Sequence, residues 1–124
     1  MIIQRDAFRS FLRQDSDSGR SAPEEDPVIL EVAMLSLKPG TSAEYEAAFT
    51  QAAPLIASMP GYISHELQRC IEAPDRYVLL VRWQTLEDHT VGFRGSDAYH
   101  EWRRLLHHFY DPFPTVEHFE LVEP

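Results

Sequence analysis

Tyr77-Val78-Leu79-Leu80-Val81-Arg82-Trp83 runs directly into Gln84-Thr85-Leu86-Glu87-Asp88-His89, and this junction decides the fold. The first seven residues are mostly β-branched, aromatic or aliphatic with no breaker among them, which is the composition of a strand. Side chains alternate across a strand, so Tyr77, Leu79, Val81 and Trp83 share one face and Val78, Leu80 and Arg82 the other. Both faces are mainly apolar, so both should be covered, as in a central strand between layers. Thr85 stands where a helix cap is needed, with Glu87 and Asp88 in the first turn, where the helix dipole favours acids. Gly92 and Gly95 interrupt that helix. A second helix is predicted from Ser96, with Tyr99, Trp102, Leu105, Leu106 and Phe109 in one apolar stripe at helical period.

Upstream, Val28 to Leu37 reads as a strand with apolar residues on both faces, ended by the turn signal Lys38-Pro39-Gly40. Thr41 or Ser42 caps a helix supported by Glu44, with Tyr45, Ala48, Phe49, Ala52, Ile56 and Met59 as its buried stripe. Pro54 lies inside that stripe and is expected to kink the helix or divide it near Ala53. Pro60-Gly61 ends it, and Tyr62 to Cys70 forms a more polar strand suited to a sheet edge. Downstream, Asp111-Pro112-Phe113-Pro114 is an extended linker into a last strand, Thr115 to Val122.

The resulting order, β-α-β-β-α-β, is the ferredoxin-like α+β arrangement: a four-stranded antiparallel sheet with helices on one face. The face away from the helices would expose the apolar sides of the first and third strands, and such patches mark interaction surfaces. Sheet-on-sheet packing of a homodimer is the expected cover. Residues 28–124 make up this domain. Residues 1–27 read as an N-terminal arm, a short helix with Ala7, Phe8, Phe11 and Leu12 on one side, then a polar linker. The arm's apolar residues are expected to dock on their own or a partner's surface.

Composition narrows the function classes. The 124 residues are 44% hydrophobic and 25% charged, as in a globular domain. Acidic residues outnumber basic ones 20 to 11, for a net charge of −9, and Lys38 is the only lysine. Nucleic acid, which demands clustered positive charge, is not expected as a partner. No apolar run is long enough for a membrane span, and Arg5, Asp6, Arg9 and Arg13 break any signal-peptide core. The single cysteine, Cys70, fits a reducing compartment, so the expected location is cytoplasmic.

Several runs taken together resemble the antibiotic biosynthesis monooxygenase family: Pro60-Gly61-Tyr62 with His65-Glu66-Leu67, Pro74-Asp75-Arg76-Tyr77, and Trp83-Gln84-Thr85-Leu86-Glu87-Asp88-His89. Ser96, Tyr99 and Trp102 and the closing Val116-Glu117-His118-Phe119 fit it too. The resemblance covers about Val28 to Val122. It implies a dimeric α+β barrel with a pocket between sheet and helices in each subunit. It also implies oxidation of a hydroxylated aromatic or quinol compound by dioxygen without a bound cofactor. A non-catalytic small-molecule-binding module on the same dimer is the alternative. Haem-degrading relatives place an asparagine on the first strand, and a tryptophan and a ligating histidine on the second helical block. Here the first strand has no asparagine, and Phe93 and Arg103 stand at the other two places, so haem degradation is not expected. Phe93 also replaces a histidine that many family members carry before the serine.

Cofactor-free oxidation needs a base and a dry, flat cavity. Trp83, Phe93, Tyr99, Trp102 and Tyr110 are candidate walls, although aromatics at helical spacing equally serve as core. His118 and His65, each on a largely apolar strand face, are the candidate bases, with His118 preferred for its drier surroundings. Arg82 either snorkels to solvent or holds a substrate oxygen. His107 and His108 read as solvated residues at a helix end, and His100 as exposed. A metal site of His107, His118 and Glu120 lacks tight spacing and is not expected.

Overall fold

The computed structural model describes residues 28–123; the expected arm, residues 1–27, lies outside the described residues. The elements in order are β1 (Ile29–Ser36), α1 (Ser42–Ala57), β2 (Tyr62–Arg69) and β3 (Arg76–Trp83). A π-helical turn (Asp88–Phe93), α2 (Asp97–Leu106), a 3₁₀ turn (His107–Phe109) and β4 (Thr115–Glu120) complete the chain. The four strands form one antiparallel sheet in the order β2-β3-β1-β4. This is the ferredoxin-like fold, with the two strands that are apolar on both faces at its centre and the polar β2 at one edge.

Register fixes which residues meet. Ala33 pairs with Leu79 of β3 and Val116 of β4, and Glu31 with Val81 and His118. These residues face the helices, where Leu35, Tyr77, Val81 and Trp83 join Tyr45, Phe49, Ala52 and Ile56 of α1 and Trp102 and Leu106 of α2 in the core. The opposite face carries Leu30, Val32, Val78 and Leu80, all half-buried, with Met34 49% and Phe119 50% exposed.

Local outcomes differ from the sequence reading in four places. α1 is continuous through Pro54. The proline is exposed, so water can take up the carbonyl left without its helical donor, while Ala52 and Ile56 keep their places in the core. Neither candidate cap of α1 is used as one: Thr41 Oγ1 donates to the Lys38 carbonyl at 2.7 Å, and Ser42 Oγ to Pro74 O at 3.3 Å. β4 ends at Glu120 rather than Val122. After β3, Thr85 and Asp88 cap each other reciprocally, each backbone N–H donating to the other's side chain at 3.1 Å. The helix they start widens into the π turn, where Arg94 N–H reaches back to the His89 carbonyl at 3.2 Å. Gly95 ends it, since a Cβ there would lie 2.8 Å from the Val91 carbonyl oxygen.

Candidate functional site

A cavity of about 400 Å³ lies between the helix-facing side of the sheet and the second helical block. Its sheet wall is Glu31, Ala33 and Leu35 of β1 with Leu79 and Val116, and the small Ala33 at the centre leaves the room. Its roof is His89 and Phe93 of the π turn, then Arg94, Tyr99 and Trp102. His107, Tyr110, Phe113 and Pro114 close the side reached by the linker into β4. Phe93 meets Tyr99 and Trp102 edge-on, at 5.2 and 5.5 Å between ring centroids, so the wall is a packed aromatic assembly.

One end of the cavity is polar. Glu31 is 5% exposed and accepts a hydrogen bond from the Trp83 indole N–H at 3.0 Å. His89, 3% exposed, places Nε2 3.4 Å from the same carboxylate oxygen. Its Nδ1 lies 2.8 Å from Nε2 of the half-buried His118. Trp83 stacks on the His89 ring at 5.4 Å and Phe93 lies on it at 6.3 Å, which fixes the imidazole plane.

Electrostatics follow burial. Desolvation lifts the Glu31 carboxyl to about 7, against the opposing pull of the Trp83 N–H and Arg94. Desolvation drives His89 down to about 3, with the Arg94 and His118 charges adding to the effect. His118 is lowered as well, by burial first and by Arg94 second. Near neutral pH both imidazoles are therefore neutral, and the contact between Glu31 and His89 joins an acid poised to titrate to an uncharged base.

The candidates named from sequence divide between this cavity and other places. Phe93, Tyr99, Trp102 and Tyr110 line it. Trp83 is fully buried behind it and touches it through Glu31 and His89 rather than as a wall. His118 sits one hydrogen bond behind His89. His65 lies elsewhere on the sheet, its Nδ1 2.6 Å from the Tyr62 hydroxyl and its ring against Phe49. Arg82 stands on the face away from the helices, with Nη1 3.7 Å from Glu66 Oε2, because the bulky aromatics Tyr77 and Trp83 take the helix-facing side. His107 is half-buried against Tyr99 and Phe113 at the cavity, not solvated as expected, whereas His100 and His108 are exposed. Among the described residues, no three His, Cys, Asp or Glu side chains are grouped to hold a metal ion.

The sequence reading missed Glu31, His89, Arg94, His107 and Phe113 as cavity residues. Glu31 did carry a signal: it is the one charge inside an otherwise apolar strand, on the side of Ala33 and Leu35.

Comparison with known proteins places this architecture. The sequence profile of the antibiotic biosynthesis monooxygenase family matches residues 28–105. The chain belongs to that family. The uncharacterized protein YczJ of Bacillus subtilis (strain 168) is 59% identical over 95 residues, 77% of this chain and 100% of YczJ. A crystal structure from Bordetella bronchiseptica that carries the family's name is 39% identical, with a TM-score of 0.76 over 79% of this chain and 100% of that one. SnoaB of Streptomyces nogalater, a cofactor-independent oxygenase, shares the fold at 20% identity, with a TM-score of 0.61 over 79% of this chain and 94% of its own. In this member of the antibiotic biosynthesis monooxygenase family, the polar end of the cavity is a carboxyl–imidazole–imidazole chain flanked by an arginine.

Proposed function

We propose that this domain is a cofactor-independent monooxygenase that oxidises a small hydroxylated aromatic or quinol compound with dioxygen. The observation that carries the reading is the aromatic-walled cavity of about 400 Å³ with a titratable, desolvated carboxyl–imidazole pair at one end. Its volume falls in the range of small-molecule sites, and flat apolar walls with few polar groups suit one aromatic ring system. Phe93, Tyr99, Trp102 and Tyr110 hold the rings. The polar end takes the phenolic proton, and the exposed Arg94 guanidinium at the cavity stabilises the phenolate and the reduced oxygen species formed beside it.

The substrate is its own reductant. The phenolate passes an electron to dioxygen, and the radical pair combines at a ring C–H carbon into a peroxide. Cleavage of the O–O bond leaves one oxygen on that carbon as the carbonyl of a quinone, and the other departs as water. Phenol plus dioxygen thus balances quinone plus water.

The assembly in this reading is a homodimer packed sheet on sheet. The partly exposed Met34 and Phe119, beside Leu30, Val32, Val78 and Leu80, supply the apolar surface for it. An interface of this kind buries about 2,000 Å² or more, and sedimentation at micromolar concentration is expected to give a dimer. No helix among the described residues is long and apolar enough to cross a membrane. The unpaired Cys70 fits the cytoplasm as the place of action.

The test is oxygen uptake with a panel of hydroquinones and polycyclic phenols and metal-free protein. Uptake with formation of the quinone is the expected result. Tight binding of one member without uptake by any would instead make the domain a non-catalytic binding module.

A further inference from the structure

We propose that Glu31, His89 and His118 form a proton path from the cavity to the surface at β4, with Glu31 as the group that takes the proton of the bound ligand. The inference rests on the reading of the cavity as a site for phenols and adds the residue that acts on them.

Three observations carry it. Glu31 and His118 face each other across the β1–β4 ladder, so the backbone holds both ends of the path in register. His89 enters between them from the π turn, with Nδ1 hydrogen-bonded to His118 Nε2 at 2.8 Å and Nε2 close to Glu31 Oε1 at 3.4 Å. Access to water also rises along the chain, since Glu31 and His89 are buried and His118 is only half-buried. Once an aromatic ligand fills the cavity, this chain is the route by which Glu31 exchanges protons with solvent. The other groups around it are the Trp83 N–H, the Arg94 guanidinium, and His107 and Tyr110 on the cavity wall.

The proton count balances through a change of tautomers. With Glu31 protonated, the 3.4 Å gap closes so that its O–H donates to His89 Nε2, while His89 Nδ1–H donates to His118 Nε2. On loss of one proton, that of Glu31 moves to His89 Nε2 and that of His89 Nδ1 moves to His118 Nε2. The proton on His118 Nδ1 leaves to water. Both imidazoles stay neutral and Glu31 becomes a carboxylate. A phenol then gives its proton to that carboxylate, leaving the phenolate beside Arg94. The same proton is returned when the departing oxygen becomes water. Stacking between Trp83 and Phe93 hinders flipping of the His89 ring, which makes tautomer exchange the working motion.

The experiment reads the tautomer directly. Protein labelled with ¹⁵N-histidine is titrated through neutral pH, and two-bond proton–nitrogen spectra report which His89 nitrogen carries the proton. The expected result is a switch from Nδ1–H to Nε2–H in wild type and a fixed tautomer in Glu31→Gln. A His89 that keeps one tautomer throughout in wild type, or that becomes imidazolium, overturns the path, and this measurement needs no variant to fold. In turnover, Glu31→Gln is expected to lower kcat about 10²-fold or more. His118→Ala is expected to lower kcat with KM unchanged and to regain rate when imidazole is added to the buffer. Turnover of phenols without any switch of His89 would sink the path and leave the monooxygenase reading standing. A switch in a protein that binds none of the phenol panel would instead remove the substrate class.

Discussion

Glu31→Gln should make the protein more stable, by a margin that opens as pH rises above 4.5 and is complete above about 7. In the folded chain the carboxyl is held up at about 7 by burial, against an ordinary value of 4.5. The folded state therefore keeps a proton that the unfolded state has lost over that interval, so stability falls as pH rises through it. At about 1.4 kcal/mol for each tenfold change in proton affinity, a rise from 4.5 to about 7 costs the wild type about 3 kcal/mol above neutrality. Glutamine keeps the shape and an acceptor for the Trp83 N–H but has no proton to lose. His89 works in the opposite sense: held neutral down to about 3, it contributes stability that disappears as pH falls below its ordinary value of 6.5. That term is present in both proteins, so the difference between them isolates Glu31. Urea unfolding at a series of pH values should show near-equal stabilities at about pH 4 and a gap of about 3 kcal/mol in favour of the variant at about pH 8. A gap that does not change with pH, or a variant less stable at pH 8, would refute the assignment of Glu31 as a desolvated acid.

Leu106→Ala removes a side chain that is 0% exposed and should cost about 2–5 kcal/mol, seen as a lower urea midpoint at unchanged slope. Gly61→Ala should cost about 1–3 kcal/mol: φ is +85° there, and a Cβ would fall 2.0 Å from Asp88 Oδ2. Moving that carboxylate also takes away the acceptor of the Thr85 N–H, so the loss should show as faster amide exchange at Thr85. Haem titration should give weak binding with no ligand from the α2 positions Arg103 and His100, since both are exposed and neither lines the cavity. Stoichiometric binding with reductant-dependent ring opening would contradict that outcome.

The fold was legible because its signals are local. The near-continuous apolar runs of β1 and β3, the stripe from Tyr99 to Phe109 and the Pro-Gly stops are each read within a short stretch of sequence. The polar end of the cavity was not, because Glu31, His89 and His118 come from β1, the π turn and β4 and meet only once the sheet register is set. Arg82 illustrates the same limit from the other side. β3 is apolar on both faces, so its pattern alone did not say which face the helices cover. The bulk of Tyr77 and Trp83 settles that in three dimensions, and Arg82 goes with the opposite face. Of the two outcomes expected of Pro54, a kink or a division near Ala53, the division does not occur, because a single lost bond on a solvated side is cheap beside the burial of Ala52 and Ile56.

The π turn from Asp88 to Phe93 holds one residue more than an α-helical path between the same ends would need. Removing one residue there, at the exposed Val91 for example, would let the turn close as an α-helix between the Thr85–Asp88 cap and Gly95. Residues on either side of the deletion would then rotate against each other by about 100°. His89 and Phe93 would no longer face Glu31 and the cavity together, while the sheet beneath would keep its register. A crystal structure of that deletion variant would show whether His89 leaves the carboxylate. The identity of the side chain at the polar end of the cavity is thus governed by the length of this turn. Insertion or loss of a single codon can exchange it on an unaltered scaffold, a kind of divergence that counting substitutions between relatives would overlook.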